Sequence, residues 1–112
     1  MKLFTGLKKI REYEQLQLPF LKSVLDFDIL IEIGYAEEQG QPLTLKQLYL
    51  LNVSSRTTVR RRLSNLIQQR IIVRRKHAED RRSSLLTIPS STIRLLVKYA
   101  VALKTISAMH FK

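Results

Sequence analysis

Between Ser54 and Ile88 the chain sets an apolar stripe and a row of arginines on one short segment and follows it with two strand-like runs, an order few folds accommodate. Counting 100° per residue from Val59, the side chains of Val59, Leu63, Leu66 and Ile67 share one stripe that needs a core to lie against. Thr57, Arg61, Ser64 and Gln68 fall opposite, flanked by Arg56, Arg60 and Arg62. Ser54 or Ser55 is placed to cap the N-terminus, because a short hydroxyl accepts a hydrogen bond from one of the first free amides of a helix. The spacing therefore predicts a helix over about 55–69, packed on one side and basic and hydrogen-bonding on the other.

The residues on either side fit a helix-turn-helix with a hairpin after it. Thr44 can cap a short helix, Leu45 to Leu51, with Leu45, Leu48 and Tyr49 as its buried positions. Asn52 tolerates the left-handed backbone that closes such a helix. Short helix, tight turn and basic helix make the motif, and Lys46 lies where a phosphate could be met. After Arg70, the β-branched run Ile71, Ile72, Val73 reads as a strand, residues 76–83 (KHAEDRRS) as a turn and 84–88 as the returning strand, stopped by Pro89.

The ends of the chain are helical and apolar. Leu3, Phe4, Leu7, Ile10, Tyr13 and Leu16 recur every three or four residues across residues 1–18. Pro19 suits the first position of a second helix, which runs to about Gln39 with Phe20, Val24, Phe27 and Ile31 as its apolar row, widened by Leu21, Leu25, Leu30, Ile33 and Tyr35 into a stripe that suggests contacts on two sides. Asp26, Asp28 and Glu32 read as its solvated face, and Gly40, Gln41 and Pro42 end it. A last helix, capped by Ser90 or Ser91 and reaching Phe111, is apolar nearly all the way round. Such a surface needs a cover, so a two-fold homodimer built from the first and last helices is expected. The fold class is mostly α with a small β-hairpin (α+β). Residues 1–112 read as a single winged-helix domain: 1–40 an arm and dimerisation helix, 43–88 the helix-turn-helix and wing, 90–111 the second dimerisation helix.

Charge narrows the partner. A formal net charge of +11 and a pI of about 10.5 call for a polyanion, either nucleic acid or an anionic membrane. Seven of the nine acidic residues lie between Glu12 and Glu38, so the basic excess sits on the proposed helix and hairpin. There the arginines share a helix with Thr, Ser, Asn and Gln rather than with a Trp- or Phe-rich face, which suits a nucleic-acid groove better than a membrane. No cysteine is present, and no segment approaches the roughly 18 apolar residues of a membrane span. A cytoplasmic protein with no membrane association is expected. The histidines, His77 and His110, share no metal-ligand spacing and no glycine-rich phosphate loop appears, so no enzyme, metal or cofactor is expected.

Double-stranded DNA is the partner these features fit. The guanidinium fork matches the two acceptors of guanine in the major groove, and the N-terminal part of the second helix of a helix-turn-helix meets base edges. The residues expected to do so are Arg56, Thr57, Arg60, Arg61 and Ser64. The plainer alternative is a solvated helix face, disfavoured because no acidic residue balances the arginines. Sequence-tolerant architectural binding to DNA, or shape-driven binding to double-stranded RNA, would use the same patch.

The pattern TVRRRLSNLIQQRIIVRRKHAEDRRSSLLTI, Thr58 to Ile88, resembles the recognition helix and wing of the MarR family of winged-helix transcriptional regulators, with the likeness extending over about 43–92. Its most specific piece is Asp80-Arg81-Arg82. The resemblance implies that the wing, about 76–84, is ordered by Asp80 and sends Arg82, beside Arg81, into the minor groove, where an arginine is drawn by the enhanced negative potential. Members often have glycine where this chain has Arg70, and Ile88-Pro89 stands where the wing strand often ends in Leu-Thr. The chain is also expected to be shorter than typical members, by one helix after the wing. No small-molecule effector is predicted.

Overall fold

The computed structural model describes residues 1–76 and 83–112. In chain order the elements are α1 (Leu3–Gln17), α2 (Val24–Glu38), α3 (Leu45–Leu50), α4 (Arg56–Gln68), β1 (Val73–Lys76), β2 (Ser84–Thr87) and α5 (Ser90–His110). They form two compact units: Lys22–Pro89, and Met1–Leu21 with Ser90–Lys112.

In the first unit, α2 begins later than Pro19 suggested. Ser23 is its N-cap: the Asp26 amide faces Ser23 Oγ at 3.4 Å, while the Asp26 carboxylate accepts the Lys22 N–H at 2.7 Å. This arrangement occupies amides that a helix end leaves free, so the helix starts at Val24. Its inward face is narrower than the wide apolar stripe read in the sequence, of which Leu30 and Ile33 are buried. Asp26, Ile29, Leu30 and Ile33 are buried, at the spacing i, i+3, i+4, i+7, whereas Val24 and Ile31 are 69% and 60% exposed. The expected solvated face thus contains a fully buried carboxylate. Gly40, at φ 77°, closes α2: the Gly40 N–H donates to Glu37 O at 2.9 Å and the Gln41 N–H to Ala36 O at 3.0 Å.

The helix-turn-helix follows as expected. Thr44 caps α3 in a reciprocal box with Gln47, and Leu48 is fully buried. Asn52 turns the chain at φ 53°. Ser55 caps α4, whose Val59, Leu63 and Leu66 are buried.

Arg70 itself takes the left-handed conformation, at φ 61°. The Arg70 N–H donates to Ile67 O and the Ile71 N–H to Leu66 O, both at 2.9 Å, the same closure that Gly40 makes on α2. A side chain there is strained, so Arg70→Gly should raise stability by about 1 kcal/mol, read as a rise in thermal midpoint of several degrees. Ile71 is thereby committed to the helix end and Ile72 to the core, at 0% exposure, which is why β1 starts at Val73 and not at Ile71.

The hairpin pairs Val73 with Thr87, Arg74 with Leu86, Arg75 with Leu85 and Lys76 with Ser84. Thr44 bridges Leu85, and Leu43 O accepts the Leu86 N–H at 2.9 Å, which ties the hairpin to the start of α3. Leu86 and Ile88 point into the core, and the Ile88 N–H donates to the Glu37 carboxylate at 2.6 Å.

In the second unit α1 packs along α5. The Tyr13 and Tyr99 rings stack with centroids 5.8 Å apart, and the Tyr99 hydroxyl donates to the Glu14 carboxylate. Burial, reinforced by that hydrogen bond, pushes the phenol up to about 12. At the other end the Lys2 N–H donates to His110 O at 2.9 Å and Gly6 admits the Phe111 ring.

A Cβ on Gly6 would lie 2.2 Å from Phe111 Cε1 and 3.0 Å from His110 Cβ, an atom that no rotamer change moves. Helix propensity alone would favour alanine by about 1 kcal/mol. Overpacking of this severity outweighs it, so Gly6→Ala should cost a net of about 1–2 kcal/mol in chemical denaturation.

The apolar surface expected on the terminal helices is present and uncovered within the unit. Ile93, Val97 and Val101 are 48%, 57% and 61% exposed along α5, as are Phe4 and Leu7 on α1 at 80% and 44%. Among the described residues no helix is long and apolar enough to cross a membrane.

Candidate nucleic-acid interface

The basic side of α4 forms because its opposite side is buried. With Val59, Leu63 and Leu66 in the core, the 100° step turns Thr57, Arg60, Arg61, Ser64 and Gln68 outward, and all five are exposed. Arg60 and Arg61 have no acidic partner among the described residues, so their forks are available to an external acceptor. Arg56, in the first turn, lies with its guanidinium carbon 4.8 Å from the centroid of the Tyr49 ring on α3. This cation–π contact holds an otherwise exposed side chain in one direction.

Arg62 leaves the row it was assigned to. Its Nε–H donates to Asp26 Oδ1 at 2.7 Å and its NH2 group to Oδ2 at 2.9 Å, a two-point pair with a carboxylate that is 0% exposed. The hydrogen bond to Asp26, partly opposed by burial, raises the pKa of Arg62 above the usual guanidinium value, so the side chain stays charged at any working pH. Asp26 also sits in the first turn of α2, where the positive end of the helix dipole favours an anion. The pair joins α2 to α4 and so sets the rotation of the arginine-bearing helix about its own axis.

Sequence reasoning missed this pair, although a signal was present. Arg62 is three residues after Val59 and four before Leu66, at the edge of the apolar stripe, and Asp26 is three after Ser23, the spacing of a capping residue and its partner.

On the hairpin, Arg74, Arg75 and Lys76 are exposed, and the Arg74 Nε–H donates to Ser84 Oγ at 2.8 Å. Asp80, Arg81 and Arg82, expected at the wing tip, lie outside the described residues. Also among the described residues, no group of three or more His, Asp or Glu side chains is arranged to hold a metal ion.

A helix-turn-helix whose second helix is exposed and basic, followed by a two-stranded hairpin, is the winged-helix arrangement, and residues 21–83, more than half of the chain, match the model of the MarR family. The chain belongs to the MarR family. The matched span nearly coincides with the Lys22–Pro89 unit, so membership rests on the part that carries α4 and the hairpin. MarR-family proteins are winged-helix DNA-binding transcription regulators and not enzymes.

Solved structures agree on the fold. The structure of Staphylococcus aureus MepR in complex with DNA is 19% identical, covering 96% of this chain and 86% of that one with a TM-score of 0.71. Transcriptional regulator Tm0710 from Thermotoga maritima is 21% identical over 92% of this chain and 70% of that one, with a TM-score of 0.69. YusO from Bacillus subtilis is 16% identical over 96% of this chain and 71% of that one, with a TM-score of 0.71. No curated protein matches the chain.

Proposed function

We propose that this MarR-family chain is a cytoplasmic, homodimeric regulator that reads a specific sequence in double-stranded DNA. The observation that carries the reading is the exposed row on α4, Thr57, Arg60, Arg61 and Ser64, in which two arginines face outward without an acidic partner among the described residues. In the proposed complex α4 enters the major groove and its forks meet guanine edges. Arg56, at the head of the helix, also contacts the DNA. The wing, about 76–84, follows into the minor groove, with Arg82 making the contact, Arg81 beside it and Asp80 organising the loop, as the family resemblance implies.

A second copy is the proposed occupant of the apolar faces of α1 and α5. Phe4, Ile93, Val97 and Val101 are each about half exposed or more, and water is a poor neighbour for that much hydrocarbon in a regular row. A two-fold pair would present two recognition helices to successive major grooves, about 10 base pairs apart.

Selection from a pool of random duplexes at two salt concentrations, followed by sequencing, tests the reading. The expected result is an enriched inverted repeat with half-sites about 10 base pairs apart. Salt-sensitive binding with nothing enriched would replace the regulator by a sequence-tolerant architectural protein.

A further inference from the structure

An open cleft of about 380 Å³ runs between α3, the head of α4 and the hairpin, lined in part by Thr44, Lys46, Tyr49, Arg56, Arg74 and Ser84. Three of these six side chains are cationic, and none of the described residues lining the cleft is acidic. Like charges converging on one cavity repel each other, and the arrangement is favourable only when an anion enters.

Two of the cations are also held in place beforehand. Arg56 stacks on Tyr49 at 4.8 Å, and Arg74 is fixed through its Nε–H to Ser84 Oγ at 2.8 Å, which leaves the terminal amino groups of its fork directed elsewhere. Order of this kind lowers the entropy lost on binding. Lys46 adds a compact ammonium and Thr44 a hydroxyl. Several N–H and O–H donors around one concavity suit the oxygens of a phosphate group better than the flat edge of a base.

We infer that this cleft holds a backbone phosphate of the bound DNA, with Lys46, Arg56 and Arg74 as its ligands. The inference rests on the DNA-binding reading above and deepens it. Arg56 is one turn before Arg60, so a strand whose bases meet Arg60 and Arg61 carries its backbone past the cleft mouth. The contact carries no sequence information; it sets the register of α4 in the groove.

Binding of wild type, Lys46→Ala and Arg74→Ala to a selected duplex and to a random one, measured by fluorescence anisotropy from 50 to 200 mM salt, tests it. Each substitution should reduce the slope of log K against log salt by about 0.9 and weaken both duplexes alike, by roughly tenfold near 0.1 M salt. Lys46→Arg, which keeps the charge, should keep the slope. Because Lys46 makes no contact with the hairpin in the hydrogen-bond pattern described above, its slope is independent of any disturbance of β1.

Unchanged slopes in both alanine variants would overturn the inference while leaving the regulator reading intact. So would a loss confined to the selected duplex, which marks a base contact. Titration with inorganic phosphate alone provides a further arm: heat that disappears in the variants, with unchanged slopes on DNA, would put a free anion in the cleft and likewise overturn the backbone assignment. Absence of duplex binding by the wild type would overturn both readings together.

Discussion

Replacing Arg62 with methionine is expected to destabilise the helix-turn-helix unit by about 3–5 kcal/mol, the largest effect of any single substitution considered for this chain. The reason lies in the asymmetry of the pair. Asp26 is 0% exposed, whereas the Arg62 side chain keeps 20% of its exposure. Removing the arginine strands a buried carboxylate with the Lys22 N–H as its remaining donor among the described residues. Removing the carboxylate leaves a partly exposed guanidinium that can turn toward water, so Asp26→Ala should cost less, about 1–3 kcal/mol.

Urea denaturation of the two single variants and of Asp26→Leu combined with Arg62→Met distinguishes these costs. The double variant has no buried charge and should return to within about 1 kcal/mol of the parent or exceed it. A loss under about 1 kcal/mol in Arg62→Met would mean that the pair is solvated and does not orient α4.

Arg61→Ala is expected to reduce discrimination between a selected operator and random DNA by about 1–3 kcal/mol, a factor of roughly 5 to 150, with stability unchanged within about 0.5 kcal/mol. Arg61 is exposed and has no partner among the described residues, so its loss costs them no contact; its fork is available for the two acceptors of a guanine. Arg61→Lys sharpens the test. A lysine keeps the charge but not the planar two-point geometry, so a base contact loses discrimination with lysine as well, whereas a phosphate contact keeps its affinity. Competition binding at fixed salt reads both. Equal weakening on the two DNAs by alanine would make Arg61 a phosphate ligand and move sequence reading to its neighbours on α4. The contrast with Arg62 shows how sharply one step of 100° separates roles: adjacent arginines on one helix, one facing outward and one holding the helix to α2.

Most of the architecture was legible because its causes are local. Thr44 and Ser55 cap because of their own hydroxyls, Asn52 turns because its side chain tolerates a positive φ, and Val59, Leu63 and Leu66 meet the core because a helix repeats every 3.6 residues. The exposed arginine row follows from the same period. It was visible without coordinates, as were the uncovered apolar residues of α1 and α5.

What escaped the sequence depends on residues far apart in the chain. Asp26 and Arg62 are 36 positions apart, and counting hydropathy assigns a carboxylate to the solvent side. Only the folded pairing offsets the cost of burying it, and that pairing turns α2 so that Asp26, Ile29, Leu30 and Ile33 face inward while Val24 and Ile31 face out. The start of β1 was misplaced for a similar reason: nothing in a run of β-branched residues says that Arg70 will adopt φ 61° and commit Ile71 to the end of α4. The cleft shared by Lys46, Arg56 and Arg74 arises because the hairpin folds back onto the start of α3. Periodicity and capping chemistry are properties of neighbouring residues and can be read along the chain. The balance between desolvating a charge and pairing it exists only once the chain has brought its partner to it.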